Sequence, residues 1–422
     1  MSHADLIIIG AGPGGYRAAE YAAKQGLTVV ICEREHVGGT CLNVGCIPTK
    51  TYVHAASFAE ARERMAQVVS QLRAGVETIL SHPNITLVRG TAQLVAADTV
   101  MVQHSSFNVQ RSTFNVQCST SDVQCSTFTA PNIIIATGSE TKWLPVKGID
   151  DPRVVDSTGM LNLEHQPRRL AIVGAGVIGM EFASVFHRFG TEVTVIEYLK
   201  ECLPALDGDI AKRLRKLMEK RGITFRMKTA VEDLTDIDAD VILMATGRKP
   251  HADGLGLEAA GITPAANGAI PVDDNFLCGS HIYAIGDCNG RQMLAHAAEM
   301  QAVRAVNHIL GRADGIRFDV MPAAIFTDPE AAYVGAADGQ CCHKSFWRAN
   351  GKALAMGEPE GLLKLFSDAD GRITGCHAFG AHAADIVQEV SVLMCRDTTV
   401  GQLRDMVHIH PTLSEILKAA VG

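Results

Sequence analysis

Residues 6–33 read LIIIGAGPGGYRAAEYAAKQGLTVVICE, and residues 170–197 read LAIVGAGVIGMEFASVFHRFGTEVTVIE. The two stretches align without a gap. Each begins with an apolar, strand-like run, continues through G-x-G-x-x-G into a helical stretch, and ends in a second apolar run followed by glutamate. A complete strand–turn–helix–strand unit therefore occurs twice in the chain, and this repetition decides the fold class.

We call these stretches the first and second fingerprint units. In such a unit the glycines allow a tight turn, a close approach of backbone to a pyrophosphate, and packing of the helix on the sheet, while the final carboxylate accepts hydrogen bonds from a ribose diol. The positions are Gly10, Gly12, Gly15 and Glu33 in the first unit and Gly174, Gly176, Gly179 and Glu197 in the second. One such motif is weak support, but two complete units predict two Rossmann-like dinucleotide sites, typically for a flavin and a nicotinamide.

The glutamate of the second unit bears on the choice of nicotinamide. A carboxylate at that strand end favours the 2′-hydroxyl of NAD and repels the 2′-phosphate of NADP. No arginine follows Glu197 directly, since the next residues are Tyr198, Leu199 and Lys200. The sequence therefore predicts NAD, and Lys200 is the one feature that leaves room for NADP.

Composition narrows the class of protein. With 422 residues, 47% hydrophobic and 20% charged, the chain resembles a globular protein of about three domains. A formal net charge of −8 argues against nucleic acid as a partner, and no apolar run approaches the ~20 residues that cross a bilayer. Because a strand-like run starts almost at Met1, we expect no signal peptide, a cytoplasmic location, and mostly reduced thiols among the 12 cysteines.

Two cysteines, Cys41 and Cys46, lie in GGTCLNVGCIPTK (38–50). A zinc site would need two further ligands nearby, so no metal is expected. A structural disulfide would close a very short loop and stabilise little, and two buried spectator thiols are a third interpretation. The helical periodicity after the pair places it near a helix N-terminus, where the dipole lowers thiol pKa and favours a redox role.

A resemblance sharpens this interpretation. The two fingerprints, GGTCLNVGCIPTK, YAIGDCNGRQMLAHAAEMQA (283–302) and HIHPTLSE (408–415) resemble, in content and order, the class I pyridine nucleotide-disulfide oxidoreductases. The similarity runs from about residue 5 to 418 and is greatest to the members that oxidise protein-bound dihydrolipoamide with NAD+ through FAD. It implies a homodimer that serves lipoyl-bearing subunits of 2-oxo acid dehydrogenase or glycine cleavage complexes.

The resemblance also implies roles for the cysteine region. Cys41 becomes the interchange thiol that meets the substrate, and Cys46 lies against the flavin and forms the charge-transfer thiolate. Lys50 and Glu181 would form an ion pair near flavin N5. Each of these charges could equally be an ordinary surface charge.

The C-terminal motif offers acid–base chemistry. Dithiol oxidation needs a group that takes protons near neutral pH, and a carboxylate orients such an imidazole. The resemblance assigns the base to His410 and the orienting group to Glu415, presented to the cysteine pair of the opposite subunit. His408 has no such role. A structural alternative exists for Glu415, because Thr412 and Glu415 form a Thr-x-x-Glu capping box.

Other cofactor contacts are expected from the loops that follow the two units, IIIATGS (133–139) and VILMATGRKP (241–250), and from the GD-containing motif, although each of these could be a plain strand and turn. The further positions assigned to the cofactors are Gly14, Thr40, Lys50, Gly90, Thr137, Gly138, Ser139, Asp287, Met293, Leu294, Ala295, His296, Val231 and Gly247.

The expected layout is α/β. An FAD domain (1–144) and an NAD domain (145–270), both Rossmann-like, precede a segment that returns to FAD (271–318) and a C-terminal α+β dimerisation domain (319–422).

The chain also departs from the family pattern. Residues 105–125 consist of three near-copies of one seven-residue sequence (SSFNVQR, STFNVQC, STSDVQC), which suggests a duplicated surface loop. The stretch 229–247 is short for the NAD domain, and 333–347, which contains Cys341 and Cys342, is abbreviated. The alternatives that stay open are another disulfide or mercuric-ion reductase on the same scaffold, and a mainly scaffolding component of a complex.

Overall fold

The computed structural model describes residues 2–104 and 124–422. The predicted surface loop at 105–125 therefore lies almost wholly outside the described residues. The chain forms two compact units, of which the first comprises Met1–Thr51, Arg62–Lys142 and Arg248–Ile316, and the second Tyr52–Ala61, Trp143–Gly247 and Arg317–Gly422. The limits of the four domains stay predictions.

The first unit is built on a mixed sheet. Its central strands are apolar runs such as LIII at Leu6–Ile9, buried on both faces as expected for parallel strands between helices. From edge to edge the strands are Ser2–His3, Cys125–Thr129, Thr99–His104, Ile85–Ala96, Val29–Glu33, Leu6–Ile9, Asn132–Ile135 and Ile282–Ala284. A small antiparallel pair joins Ser139–Thr141 to Arg248–Pro250.

Helices flank this sheet. They are Pro13–Lys24, Gly39–Val44, Cys46–Val53, Phe58–Leu80 and Ala295–Ile309, with 3-10 turns at Leu257–Ala260 and Gly286–Asn289. The helices Cys46–Val53 and Phe58–Leu80 each contribute residues to both units.

The second unit contains two five-stranded sheets. The parallel sheet has the order Thr224–Met227, Glu192–Glu197, Arg169–Val173, Val241–Met244 and Val154–Val155. The antiparallel sheet has the order Ala323–Ile325, Ala331–Gly335, Ile373–Phe379, Leu362–Ser367 and Cys341–Phe346. The helices of this unit are Ser157–Leu161, Val177–Arg188, Gly208–Arg221, Gly351–Met356, Ala383–Met394, Val400–Asp405 and Glu415–Val421, with a 3-10 turn at Trp347–Ala349.

These elements confirm the expected α/β class: the first strand of each fingerprint unit pairs in parallel with both of its neighbours, and an antiparallel sheet with helices forms the C-terminal region. The short stretch in the NAD domain contains no strand between Met227 and Val241, only an isolated bridge from Lys147 to Asp233. Across the described part of the chain, no helix combines the length and the apolar character needed to span a bilayer.

Candidate active site and cofactor loops

Both fingerprint loops turn from strand to helix in the same manner. Gly12 is the N-cap of the helix Pro13–Lys24, and Gly176 is the N-cap of the helix Val177–Arg188. Neither helix has a side-chain cap, so the N–H groups of its first turn meet no capping side chain. A helix N-terminus of this kind suits a pyrophosphate, and both loops therefore fit a dinucleotide.

The third glycine of each motif has no room for a side chain. A Cβ atom on Gly15 would lie 1.9 Å from the carbonyl oxygen of Gly10, and one on Gly179 would lie 2.0 Å from the carbonyl oxygen of Gly174. Because the obstacle is backbone in both cases, the helix can approach its strand only with glycine at these positions.

The carboxylates that end the two units are buried and fixed. Ala11 N donates to Glu33 Oε2 at 2.8 Å, and Ala175 N donates to Glu197 Oε2 at 2.6 Å. The other oxygen of each carboxylate accepts the N–H two residues further along the chain, at 2.8 and 2.7 Å. Each carboxylate is thereby held at the end of its strand, beside its glycine loop, where a ribose diol would be recognised.

Three residues of the first unit form a polar cluster. Ser139 Oγ donates to Asp287 Oδ2 at 2.5 Å, and Arg248 Nε donates to Ser139 Oγ at 2.6 Å. Burial raises the pKa of Asp287, opposed by the Ser139 hydrogen bond and by the charge of Arg248. Sequence reasoning identified Ser139 and Asp287 but missed Arg248, whose only signal was its place directly after the second Ala-Thr-Gly.

The remaining cofactor positions divide between packed glycines and loop residues. Gly14 packs on the helix Ala295–Ile309, where a Cβ would lie 3.3 Å from Ala298 O. Gly90 is inside the strand Ile85–Ala96, and a Cβ there would meet Gln103 O at 2.4 Å, which gives this glycine a structural reason. Val231 packs against the core of the parallel sheet. The other positions lie on loops or at helix starts: Thr40 in Gly39–Val44, Thr137 (which donates to His251 O at 2.7 Å), Gly138, Gly247, Met293, Leu294 (the N-cap of Ala295–Ile309), Ala295 and His296.

The two cysteines of the C-x4-C motif lie side by side as free thiols. Cys41 is in the helix Gly39–Val44, and Cys46 is the first residue of the helix Cys46–Val53. The pKa of Cys41 is raised, first by its hydrogen bond with Cys46, then by burial and by repulsion from Cys46, while Lys50 acts in the opposite direction.

The expected effect of the helix dipole on this pair stays a prediction, because Cys46 is the residue that begins the helix. For Cys41 the contact with Cys46 and burial act in the opposite direction and raise the pKa. Cys46 is exposed and Cys41 is half-buried in the chain itself, and the roles assigned to them, Cys41 toward the substrate and Cys46 against the flavin, stay predictions as well.

At the C-terminus, an imidazole and a carboxylate are hydrogen-bonded. His410 Nδ1 lies 3.0 Å from Glu415 Oε1, and Thr412 N donates to Glu415 Oε2 at 3.0 Å. These two hydrogen bonds, that from Thr412 N first, lower the pKa of Glu415. The capping box is only half formed: the helix begins at Glu415, and the Thr412 hydroxyl donates instead to Ile409 O at 2.7 Å.

The neighbouring histidine has a different environment. The His408 side chain is 7% exposed and its Nε2 lies 3.4 Å from Glu389 Oε1, whereas the His410 side chain is 80% exposed. Val407, which precedes His408, is 97% exposed, and Ile409, which lies between the two histidines, is 79% exposed. Exposed apolar side chains around an exposed imidazole are typical of an interface with another chain.

The other predicted pair is divided between the two units. Glu181 is buried and its Oε1 accepts from Phe326 N at 2.9 Å in the second unit, while Lys50 lies in the first. The Lys50–Glu181 ion pair therefore stays a prediction. Within the part of the chain that the structure describes, no three His, Cys, Asp or Glu side chains are grouped as a metal ion would require.

Comparison with known proteins agrees with this geometry. Residues 4–302 match the pyridine nucleotide-disulphide oxidoreductase family, and residues 321–421 match its dimerisation domain, which supports a homodimer. The chain is 34% identical to dihydrolipoyl dehydrogenase 3 of Pseudomonas aeruginosa, with 100% of this chain and 97% of that protein covered. It is 33% identical to leghemoglobin reductase of Glycine max, with 99% and 86% covered.

A third relative, the mitochondrial dihydrolipoyl dehydrogenase of Pisum sativum, is 33% identical with 99% of this chain and 90% of that protein covered. That alignment runs over 468 positions, more than the 422 residues of this chain, so the pea protein has segments that this chain lacks.

Among solved structures, the Cu(II) complex of the HOCl-induced flavoprotein disulfide reductase RclA from Escherichia coli is similar with a TM-score of 0.90 at 29% identity, covering 100% of this chain and 99% of that one. The two glycine loops, the adjacent thiols and the dimerisation domain thus have one common explanation. The chain belongs to the class I pyridine nucleotide-disulfide oxidoreductases, flavoprotein enzymes that bind FAD and a nicotinamide dinucleotide.

Proposed function

We propose that the protein oxidises protein-bound dihydrolipoamide with NAD+. The observation that carries the proposal is the hydrogen-bonded pair Cys41 and Cys46 in the first unit, close to the first fingerprint loop in sequence. Curated relatives named dihydrolipoyl dehydrogenase, similar over almost the whole chain, support dihydrolipoamide as the substrate.

The reaction begins with the pair as a disulfide. A thiolate of dihydrolipoamide attacks the sulfur of Cys41, a mixed disulfide forms, and Cys46 leaves as a thiolate. The second thiol of the substrate then attacks the substrate sulfur that is bonded to Cys41. Lipoamide leaves as a cyclic disulfide, and Cys41 is released as a thiolate. Two electrons have then passed to the cysteine pair, and FAD, which the first glycine loop and Glu33 would hold, would supply the group that accepts them for transfer to NAD+.

Proton transfer in this scheme belongs to His410 of the partner subunit. Its Nδ1 faces Glu415 at 3.0 Å, which leaves Nε2 to take the proton from the substrate thiol. Glu415 stays ionised, because its pKa is lowered, and stabilises the imidazolium that forms. The exposure of His410 and of the apolar residues around it supports a position at the dimer interface.

The choice of NAD+ rests on Glu197. Its carboxylate is held by two backbone N–H groups and is 9% exposed, so it cannot swing away from an incoming 2′-phosphate. Repulsion between this fixed charge and the phosphate disfavours NADP+. Further proposed partners are a second copy of the chain and the lipoyl-bearing subunits of 2-oxo acid dehydrogenase or glycine cleavage complexes.

The test is an assay of the purified flavoprotein. We expect NAD+ reduction with dihydrolipoamide, its loss in the Cys46→Ser variant, and a long-wavelength absorption band when the wild-type protein is titrated anaerobically with a dithiol. Activity confined to NADPH and a different disulfide would overturn the proposal. A Cys46→Ser protein that kept full function would instead favour a scaffolding role.

A second candidate is the reduction of another disulfide by NADH. The similarity to the HOCl-induced flavoprotein disulfide reductase RclA favours it. NADH consumption with lipoamide, glutathione disulfide and cystine in parallel separates the two candidates. The first requires lipoamide to be preferred by kcat/KM, and the second requires another disulfide to exceed it.

A further inference from the structure

The asparagine inside the C-x4-C motif is tied into the turn on both sides. Asn43 Nδ2 donates to Val37 O at 3.0 Å and to Gly39 O at 2.8 Å, so its amide closes the chain segment that leads into Cys41. Its carbonyl oxygen Oδ1 accepts two hydrogen bonds from the side chain of Arg73, from Nε at 3.0 Å and from Nη2 at 2.7 Å. Both polar atoms of this amide are therefore engaged at once.

The turn that Asn43 closes also meets the first fingerprint loop. A Cβ atom on Gly39 would lie 2.7 Å from the Cα atom of Gly12, so the two backbones touch at this point. Gly38 N donates to Ala11 O at 2.8 Å beside that contact. The segment that the Asn43 amide closes is thus the same segment that contacts the glycine loop through Gly38 and Gly39.

Arg73 comes from a different element, the helix Phe58–Leu80. Two N–H groups of one guanidinium converge on a single amide oxygen, which is a charge-assisted arrangement with a defined direction. Among the described residues, Arg73 forms no ion pair with a carboxylate, unlike Arg17, Arg89 and Arg304 of the same unit. Its polar contact is with the cysteine turn instead.

We propose that Arg73 is a positioning residue for the thiol pair. Through Asn43 it holds the turn in the form that keeps Cys41 and Cys46 in hydrogen-bond contact, and it thereby raises the tendency of the two thiols to form a disulfide. This inference rests on the proposed redox role of the pair. It adds Arg73 to the residues that act on the thiol pair. Arg73 lies 27 positions beyond Cys46, and its side-chain hydrogen bonds go to the Asn43 amide and not to either sulfur.

The physical reason is effective concentration. In exchange with glutathione, two glutathione thiols reduce the Cys41–Cys46 disulfide and one glutathione disulfide forms, so the equilibrium measures how closely the protein holds its two thiols. Loss of the guanidinium leaves Asn43 Oδ1 without its charged donors and loosens the turn. Both thiols then sample more positions, and closing the disulfide becomes less favourable.

The experiment uses the FAD-loaded protein. Wild type, Arg73→Met, Arg73→Lys and the control Arg89→Met are equilibrated anaerobically in glutathione buffers of graded ratio and trapped with an alkylating agent. The fraction of the 38–50 segment in disulfide form is read by mass spectrometry, and flavin per chain and the melting temperature are recorded. Arg89→Met removes the same charge from the same unit, where Arg89 contacts Glu35 O and Glu77 and not the cysteine turn.

We expect Arg73→Met to lower the equilibrium constant for disulfide formation about three- to tenfold, a fraction of what a hydrogen bond to a charged group contributes. Arg73→Lys, which keeps the charge and one donor direction, should fall between, and Arg89→Met should match wild type. An unchanged or increased constant in Arg73→Met overturns the inference. Should that variant fail to fold, a wild-type constant in Arg73→Lys overturns it. If the wild-type protein forms no Cys41–Cys46 disulfide, the proposed function fails instead.

Discussion

In the first fingerprint unit, the strand Leu6–Ile9 turns into the helix Pro13–Lys24 beside the carbonyl of Ala136; in the second, the strand Arg169–Val173 turns into the helix Val177–Arg188 beside the carbonyl of Ala245. The first glycine of each loop has φ near +100°, and the glutamates that end the two units accept from backbone N–H groups at equivalent positions. Local geometry is thus the same in both copies.

The surroundings of the two loops differ. Gly12 faces the cysteine-bearing turn, with Gly39 Cα 3.8 Å from where its Cβ would be, whereas nothing lies within 4 Å of the corresponding point at Gly176. At another equivalent position, the Arg17 side chain is 38% exposed and pairs with Glu20 at 2.8 Å, while Glu181 is 3% exposed and accepts from Phe326 N. The residues that the two units share determine the shape of the loop, and the residues that differ determine which other parts of the protein each unit contacts.

The largest effect is expected when the third glycine of each loop is replaced by alanine. In Gly15→Ala the new Cβ would meet Gly10 O at 1.9 Å, so we expect a protein without flavin. In Gly179→Ala the clash with Gly174 O at 2.0 Å lies in the second loop, so flavin should remain while the affinity for NAD+ falls at least about tenfold. Flavin absorbance per chain and a nucleotide titration measure the two effects.

Gly75→Ala is the control for both variants, because nothing lies within 4 Å of its added Cβ inside the helix Phe58–Leu80. If both clashing variants lost the same cofactor, the two units would not have separate ligands, and the comparison would fail.

The second test concerns the final carboxylates. Glu197→Gln removes the fixed charge but keeps an acceptor for Ala175 N, so we expect the kcat/KM preference for NAD+ over NADP+ to fall about tenfold. Glu33→Gln makes the same change in the first unit and should leave that preference as it was. An unchanged preference in Glu197→Gln would mean that Lys200 or another group selects the nucleotide.

The third test compares Arg17 with Glu181. Glu181→Leu leaves the Phe326 N–H without its acceptor and should lower the free energy of unfolding of the second unit by about 1–3 kcal/mol. Arg17→Leu removes a partly exposed i,i+3 ion pair on a helix surface and should cost less than about 0.5 kcal/mol. Urea unfolding measures both; Glu181→Gln, which keeps the oxygen, should recover most of the loss. Equal costs for the two leucine variants would contradict the difference in burial.

Sequence predicted the parts of the molecule that are encoded locally. Uninterrupted apolar runs predict the buried strands, and the spacing of the glycines predicts the tight loops that follow them. The contact between His410 and Glu415 joins residues only five positions apart. Each of these depends on neighbours along the chain, which a pattern can show.

Contacts between distant segments were not predictable in this way. Arg73 reaches Asn43 from 30 residues away, and Arg248 reaches Ser139 across 109. Sequence periodicity does not predict which arginine of a helix will hydrogen-bond which amide, because that contact depends on how the helix packs. The pKa of Cys41 depends partly on the same kind of information, because the burial that contributes to raising it is supplied by packing, although the neighbouring Cys46 thiol is only five residues away.

The smallest expected effect is a change in the pH dependence of stability, and it concerns the segment that follows each fingerprint unit. Beyond Glu33 the chain enters the cysteine turn, but beyond Glu197 it enters the helix Gly208–Arg221, whose N-cap Asp207 is held by the antiparallel sheet. Asp207 N donates to His377 Nδ1 at 2.9 Å, and Lys364 Nζ lies 2.6 Å from Asp207 Oδ1. His377 is 2% exposed, stacks on Tyr333, and must be neutral at Nδ1 to accept this hydrogen bond.

Burial lowers the pKa of His377, and the charge of Lys364 adds to this, while Asp207 and the Gly335 carbonyl oppose it. The folded state therefore binds a proton less readily than the unfolded chain, and its stability is lost as pH falls below the ordinary histidine value of about 6.5, by at most about 1.4 kcal/mol per pH unit. We expect the urea midpoint of the second unit to drop between pH 7.5 and 5.5 in wild type and to drop less in His377→Gln. His382→Gln, an exposed histidine of the same unit, should follow wild type. An equal drop in His377→Gln and wild type would mean that other groups set the pH dependence and that His377 does not titrate in this range.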